Sequence, residues 1–165
     1  MVIIVFGLPG SGKSYFASRL ARQLEAAYVS SDELRMKLIP RRTYTDDEKR
    51  MVYDQMVQAM SDALFDKKTV VLDATFYKKA IRARFDQAAD EFNEKIIYIE
   101  VTAPENIIEE RLKLPRTYSE ADIEVYKKLK ETAEPLSQPH LVLVSTNDNI
   151  SPMLHDAIQY IETIR

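Results

Sequence analysis

The run Met1-Val2-Ile3-Ile4-Val5-Phe6 passes directly into Gly7-Leu8-Pro9-Gly10-Ser11-Gly12-Lys13-Ser14, a stretch that contains every glycine of the chain. This stretch has the pattern G-x-x-x-x-G-K-[ST], which chance produces about once in 30,000 start positions at ordinary residue frequencies. An apolar run without alternation suits a strand buried on both faces. Tyr15 to Ala27 reads as a helix, with Phe16, Leu20 and Leu24 on one stripe. Strand, glycine loop and helix in that order are the context in which the pattern binds phosphate. Backbone N–H groups converge on the anion, glycine gives the chain the room and the dihedral freedom to do so, and the helix adds a positive dipole end. Gly7, Leu8, Pro9, Gly10, Ser11, Gly12, Lys13, Ser14 and Tyr15 are therefore candidate nucleotide-binding residues. Lys13 is placed to reach the β- and γ-phosphates, and the Ser14 hydroxyl to ligate Mg2+.

Strands and helices alternate along the rest of the chain, which is the α/β signature. Ala27-Tyr28-Val29 is a short second strand. Ser30 or Ser31 caps a helix to about Leu38, and Thr45 opens another, with Glu48 at the capping-box position, to about Lys67. Thr69 to Leu72 is a third strand ending at Asp73, and Lys78 to Asn93 is a helix. Ile96 to Val101 is a fourth strand, and Pro104 opens a helix to about Leu112. Pro115 breaks the pattern, and Ser119 to Thr132 is helical again, with Ser119 as cap and Asp122 in the box. Leu141 to Val144 is a fifth strand, and Ser151 or Pro152 opens the last helix. The expected fold is a three-layer α/β arrangement: a five-stranded parallel sheet, helices on both faces, and a short helical lid at about 113–122. Residues 1–165 are expected to form a single domain. Ligands should bind at the carboxyl ends of the strands, where Gly7–Ser14, Ser30–Arg35 and Asp73–Phe76 meet.

Composition narrows the function classes. The chain has no cysteine, which excludes disulfides, thiol nucleophiles and cysteine-based zinc sites. No apolar run approaches membrane-spanning length, and the apolar start lacks a basic leader segment, so the cytoplasm is the expected location. A net charge of −3 argues against broad nucleic-acid binding. With no glycine beyond Gly12, the D-x-x-G of signalling GTPases and the glycine-bearing signature of ABC-type ATPases are both impossible. What remains is a small phosphotransferase or an atypical ATPase.

Asp32 and Arg35 lie three residues apart on one helix face, just past the second strand. A carboxylate there can take the proton of an acceptor hydroxyl, and the arginine fork can hold an acceptor phosphate or sugar. Asp73 ends an apolar strand and is a candidate second acid near Mg2+. Arg111, Lys113 and Arg116 bracket the break at Pro115, where lid arginines would cover the phosphates. Lys78, Lys79, Arg82 and Arg84 scatter over more than one helix face, and most of them read as solvated, with Arg82 the one worth testing. Lys37, Arg41 and Arg42 could line an acceptor groove. His140 and His155 have no convincing partners and read as structural.

Taken in order, GLPGSGKS, SSDELR, VVLDATF and the helix in SEADIEVYKKLKETAEP resemble the P-loop kinase family that includes the 5′-hydroxyl polynucleotide kinases and zeta-toxin-like kinases. The resemblance implies an ATP- and Mg2+-dependent kinase with Asp32 as general base and Arg35 on the acceptor. It also implies Lys13 and Ser14 on phosphate and metal, and Arg116 as the lid arginine. Arg111 is then a nucleotide contact and Asp73 a metal ligand. The implied partners are ATP and a hydroxyl-bearing acceptor, with no obligate protein partner. The acceptor is a polynucleotide 5′-OH or a small molecule such as a sugar. A nucleotide-dependent regulatory module without group transfer is the competing class.

Overall fold

The computed structural model describes residues 1–115 and 120–165. Strands β1 (Val2–Phe6), β2 (Ala27–Ser30), β3 (Val70–Ala74), β4 (Ile96–Thr102) and β5 (Leu141–Val144) pair in parallel, in the order β2-β3-β1-β4-β5. The helices are α1 (Lys13–Gln23), α2 (Ser31–Leu38), α3 (Asp46–Phe65), α4 (Lys79–Asp90), α5 (Glu105–Leu112), α6 (Ile123–Thr132) and α7 (Ile150–Ile164). The five-stranded parallel α/β sheet expected from the sequence is the one observed.

Alternation along β1 builds both layers. Val2, Ile4 and Phe6 face one core with Val52, Met56 and Met60 of α3 and Phe85 of α4. Ile3 and Val5 face the other, with Phe16, Ala17 and Leu20 of α1 and Ala157 and Ile161 of α7. Every residue of β1 and β3 is buried, as a central parallel strand requires. All five carboxyl ends point the same way, and the sheet register sets Ser30, Asp73 and Val5 side by side at that edge. Among the described residues no helix is long and apolar enough to cross a membrane.

Helix boundaries differ from the sequence expectation where caps compete. α1 begins at Lys13 rather than Tyr15, because Gly12 at φ 90° turns the chain straight into it. It stops at Gln23, where Glu25 takes a positive φ and the Ala26 N–H closes on the Ala21 carbonyl. Ser30 caps α2 by accepting from the Glu33 N–H, and Thr45 caps α3 by accepting from the Glu48 N–H. Asp122 is itself the cap of α6, accepting from the Val125 N–H, whereas Ser119 lies outside the described residues. α7 opens one residue early, at Ile150. The Asn149 side chain before it bonds the Thr146 N–H and the Val144 carbonyl, tying down the loop after β5.

Candidate active site

The loop between β1 and α1 is shaped by what surrounds it. A Cβ on Gly7 would lie 2.3 Å from the Val101 carbonyl oxygen, so no other residue fits. A Cβ on Gly12 would sit 2.9 Å from Ser145 Oγ, at a dihedral that side chains rarely adopt. The Ser145 hydroxyl donates to the Ser11 carbonyl at 2.5 Å, locking the loop to the end of β5. Leu8, Pro9 and Gly10 complete the bend, and the half-exposed Lys13 and Ser14 begin α1. The Ser11 hydroxyl is buried without a partner in this cradle.

Asp73 is the most constrained acid of the site. It is 2% exposed, and the Tyr28 hydroxyl donates to its Oδ2 at 2.7 Å. Its Oδ1 is buried and has no hydrogen-bond partner. Burial pushes its carboxyl above the usual range, while the nearby Lys13 ammonium and Ser14 hydroxyl oppose the rise. Burial and then the Asp73 charge push the Tyr28 phenol upward in turn, so it stays a donor. An orphaned carboxylate oxygen beside Ser14 and Lys13 fits a divalent cation held between Asp73, Ser14 and nucleotide phosphates. Among the described residues no group of three or more acids or histidines could hold a metal alone, so phosphate would have to complete the shell.

This strained acid has a consequence for stability. The raised carboxyl of Asp73 costs the folded chain free energy once pH exceeds the acid's value in the unfolded chain, about 3.9. Asp73→Asn should therefore melt higher than wild type at pH 7 in metal-free buffer. The gain should shrink as pH falls towards about 4 and vanish below it, where the acid is protonated in both states. A scanning-calorimetry series across pH checks this; an asparagine form less stable at pH 7 would mean that Lys13 compensates the buried charge fully.

A cavity of 720 Å3 runs from Asp32, Glu33 and Tyr28 past Lys13 and Ser14 to Ser145, Thr146 and Asn147. Asp32 sits in the first turn of α2 and accepts from Arg35 Nη1 at 3.0 Å. The expected shared face is thus realised as an ion pair, with the Arg35 Nε buried and unpartnered. Tyr15 is 56% exposed at the cavity wall.

Arg111 also lines the cavity, with its guanidinium held by the surrounding loops. Its guanidinium bonds the Gly10 and Thr146 carbonyls, Ser145 Oγ and Asn147 Oδ1. It joins the phosphate loop to the loop after β5, and desolvation lowers its pKa. Arg116 lies outside the described residues.

Arg82 corrects the solvated reading. It is 4% exposed and donates to the Phe76, Glu134 and Pro135 carbonyls. Phe76, fully buried at φ 45°, also donates its N–H to the Tyr53 hydroxyl, so the turn after Asp73 is clamped from both sides. Lys78 and Arg84 do lie at the surface, the first on the Thr132 carbonyl and the second on Asp54. His140 does have partners, the Gln138 carbonyl at 2.7 Å and Glu100 at 3.2 Å. Tyr28 and Ser145 escaped the sequence argument. A tyrosine in a four-residue strand, whose polar tip must find a partner when buried, was the available signal for the first.

A family model described as "AAA domain" matches residues 2–136. The thermoresistant gluconokinase of Escherichia coli strain K12 is 27% identical over 117 residues, covering 68% of this chain. That match spans 65% of the relative's own length, just under two thirds. Among solved structures, a sugar kinase from Janibacter sp. HTCC2649 aligns with a TM-score of 0.76 at 13% identity, over 98% of this chain and 94% of that one. A gluconokinase from Sinorhizobium meliloti 1021 aligns with a TM-score of 0.75 at 17% identity, over 99% and 92%. At these identities the structural likeness establishes the fold. The family match spans most of the chain, so the chain belongs to the AAA domain family, and its fold is the one shared by these solved kinases.

Proposed function

We propose that this chain transfers the γ-phosphoryl group of ATP, with Mg2+, to a hydroxyl of a small molecule of the sugar or sugar-acid class. The observation that carries the reading is that Asp32 lines the same cavity as Lys13 and Ser14, with Asp73 buried one strand away. A nucleotide switch has no use for an acid at that place. When bound, Mg2+-ATP supplies the transferable phosphoryl group and the metal screens its charge. Gly7 to Ser14 bind the phosphates, Lys13 draws charge from the β/γ bridge, and Ser14 and Asp73 hold the metal. Asp32 accepts the acceptor's hydroxyl proton while Arg35 orients that acceptor. Arg116 is the proposed lid arginine, and Arg111 and Tyr15 wall the nucleotide end.

A small acceptor, rather than a polynucleotide, is supported by the gluconokinase relative and by the net charge of −3. The test is incubation with γ-labelled ATP and parallel acceptors: a pool of sugars and sugar acids, a 5′-OH oligoribonucleotide and a 5′-OH oligodeoxyribonucleotide. Label is expected in the sugar pool. Label on an oligonucleotide would move the acceptor to nucleic-acid ends. Label released only as inorganic phosphate would favour the regulatory module.

A further inference from the structure

The loop between α2 and α3 carries a second group of donors that the phosphate cradle does not use. Arg42 donates from Nε and Nη2 to the two carboxylate oxygens of Glu120, at 3.0 and 2.6 Å. The Tyr44 hydroxyl donates to the same carboxylate. The Arg35 guanidinium lies 5.2 Å from the centre of the Tyr44 ring. Arg35 in turn reaches Asp32, so this cluster begins one guanidinium away from the proposed base. The donors of Arg42 and then Tyr44 hold the Glu120 carboxyl down to about 2, which keeps it anionic at any working pH.

The loop is set in advance for this task. Tyr44 sits at φ 55°, a conformation that a tyrosine holds only under constraint. The constraint is Glu48, whose carboxylate accepts from the backbone N–H groups of Thr43 and Tyr44. A guanidinium fork with a phenol beside it is the donor set that recognises a planar carboxylate or a phosphate. Its present occupant is open to solvent and so to exchange. The Glu120 side chain is 41% exposed, and an ion pair open to water loses little when it exchanges partners. The buried Arg35 Nε still has no acceptor of its own, so one donor of the cluster is left unsatisfied.

We propose that Arg42, Tyr44 and Arg35 form an anion subsite for a carboxylate or phosphate borne by the phosphoryl acceptor, with Glu120 as its intramolecular stand-in until the acceptor arrives. This rests on the kinase reading and narrows the acceptor to an anionic hydroxy compound. A tethered competitor lowers the apparent affinity by the fraction of time it leaves the site open.

The experiment is titration calorimetry of the full chain with two matched pairs, gluconate against glucitol and ribose 5-phosphate against ribose. Glu120→Gln and Glu120→Ala should bind an anionic member about tenfold tighter than wild type, with the neutral partner unchanged. Arg42→Gln should lose the preference for the anion. The pair that responds tells carboxylate from phosphate. Glu120 variants that bind both anions no tighter than wild type, or an Arg42→Gln form that keeps the preference, would overturn the subsite. Because binding is read without turnover, a failed transfer assay overturns the kinase reading, and a flat titration overturns this one.

Discussion

Asp32→Asn should lower phosphoryl transfer by about 10^2- to 10^4-fold, the usual contribution of a positioned base, and leave ATP affinity within about twofold of wild type. The asparagine keeps the shape and one acceptor oxygen, so the Arg35 Nη1 bond at 3.0 Å can persist and α2 keeps its Ser30 cap. What the amide loses is the capacity to take a proton. The loss should therefore fall on kcat, with the KM for ATP unchanged, because Asp32 follows β2 and Thr146 and Asn147 follow β5, at opposite edges of the sheet. Steady-state kinetics together with nucleotide titration separate the two effects. A variant with unchanged kcat would remove Asp32 from the chemistry, and one that loses ATP binding would show that it shapes the phosphate loop instead.

The second large effect is on stability and comes from Arg82. Its fork joins the Phe76 turn to the Glu134–Pro135 segment from a buried position, alongside the exposed Lys78–Glu134 pair and the Glu134 N–H bond to the Tyr77 carbonyl. Arg82→Met fills similar volume but leaves these carbonyls without their donors in a buried setting, at a cost of about 3 kcal/mol. For a chain of this size that is a fall of about 10 °C in melting temperature. Arg82→Lys should recover little, since one ammonium cannot serve both segments. Because the Phe76 turn follows Asp73 directly, weaker binding of Mg2+-ATP should accompany the lost stability. A melting temperature within about 2 °C of wild type would mean that water replaces the guanidinium at all three carbonyls.

The central strands and the phosphate loop were legible in the sequence for a plain physical reason. A strand buried on both faces must be apolar throughout, and a loop that wraps phosphate must be glycine-rich. In this chain those two demands fall on consecutive residues, Val2–Phe6 and Gly7–Gly12. Asp32, Arg35 and Asp73 were legible because the strand ends converge on one edge of a parallel sheet. Arg82 was misread because helical periodicity reports only which face a residue occupies. It does not show that a chain segment more than fifty residues later would cover that face with carbonyls. The bonds that anchor Arg111 were not legible for a similar reason, since its acceptors belong to Gly10 and the loop after β5. The pairing of Arg42 and Tyr44 with Glu120 joins residues more than seventy positions apart, and no local pattern carries that information. The resemblance to the 5′-hydroxyl polynucleotide and zeta-type kinases located the P-loop kinase class. The small-molecule acceptor proposed above departs from the first of those families and rests on the likeness to the gluconokinase.

The central claim is that the γ-phosphorus of ATP ends on a carbon-bound hydroxyl. Phosphorus NMR of ATP, Mg2+, the full chain and a mixed pool of sugars and sugar acids reads its fate directly. Loss of the γ-phosphate signal is expected, with ADP and a new phosphomonoester signal growing in equal amount, none of it without the acceptor pool. ATP turned over to inorganic phosphate alone, at a rate indifferent to the pool, would contradict it.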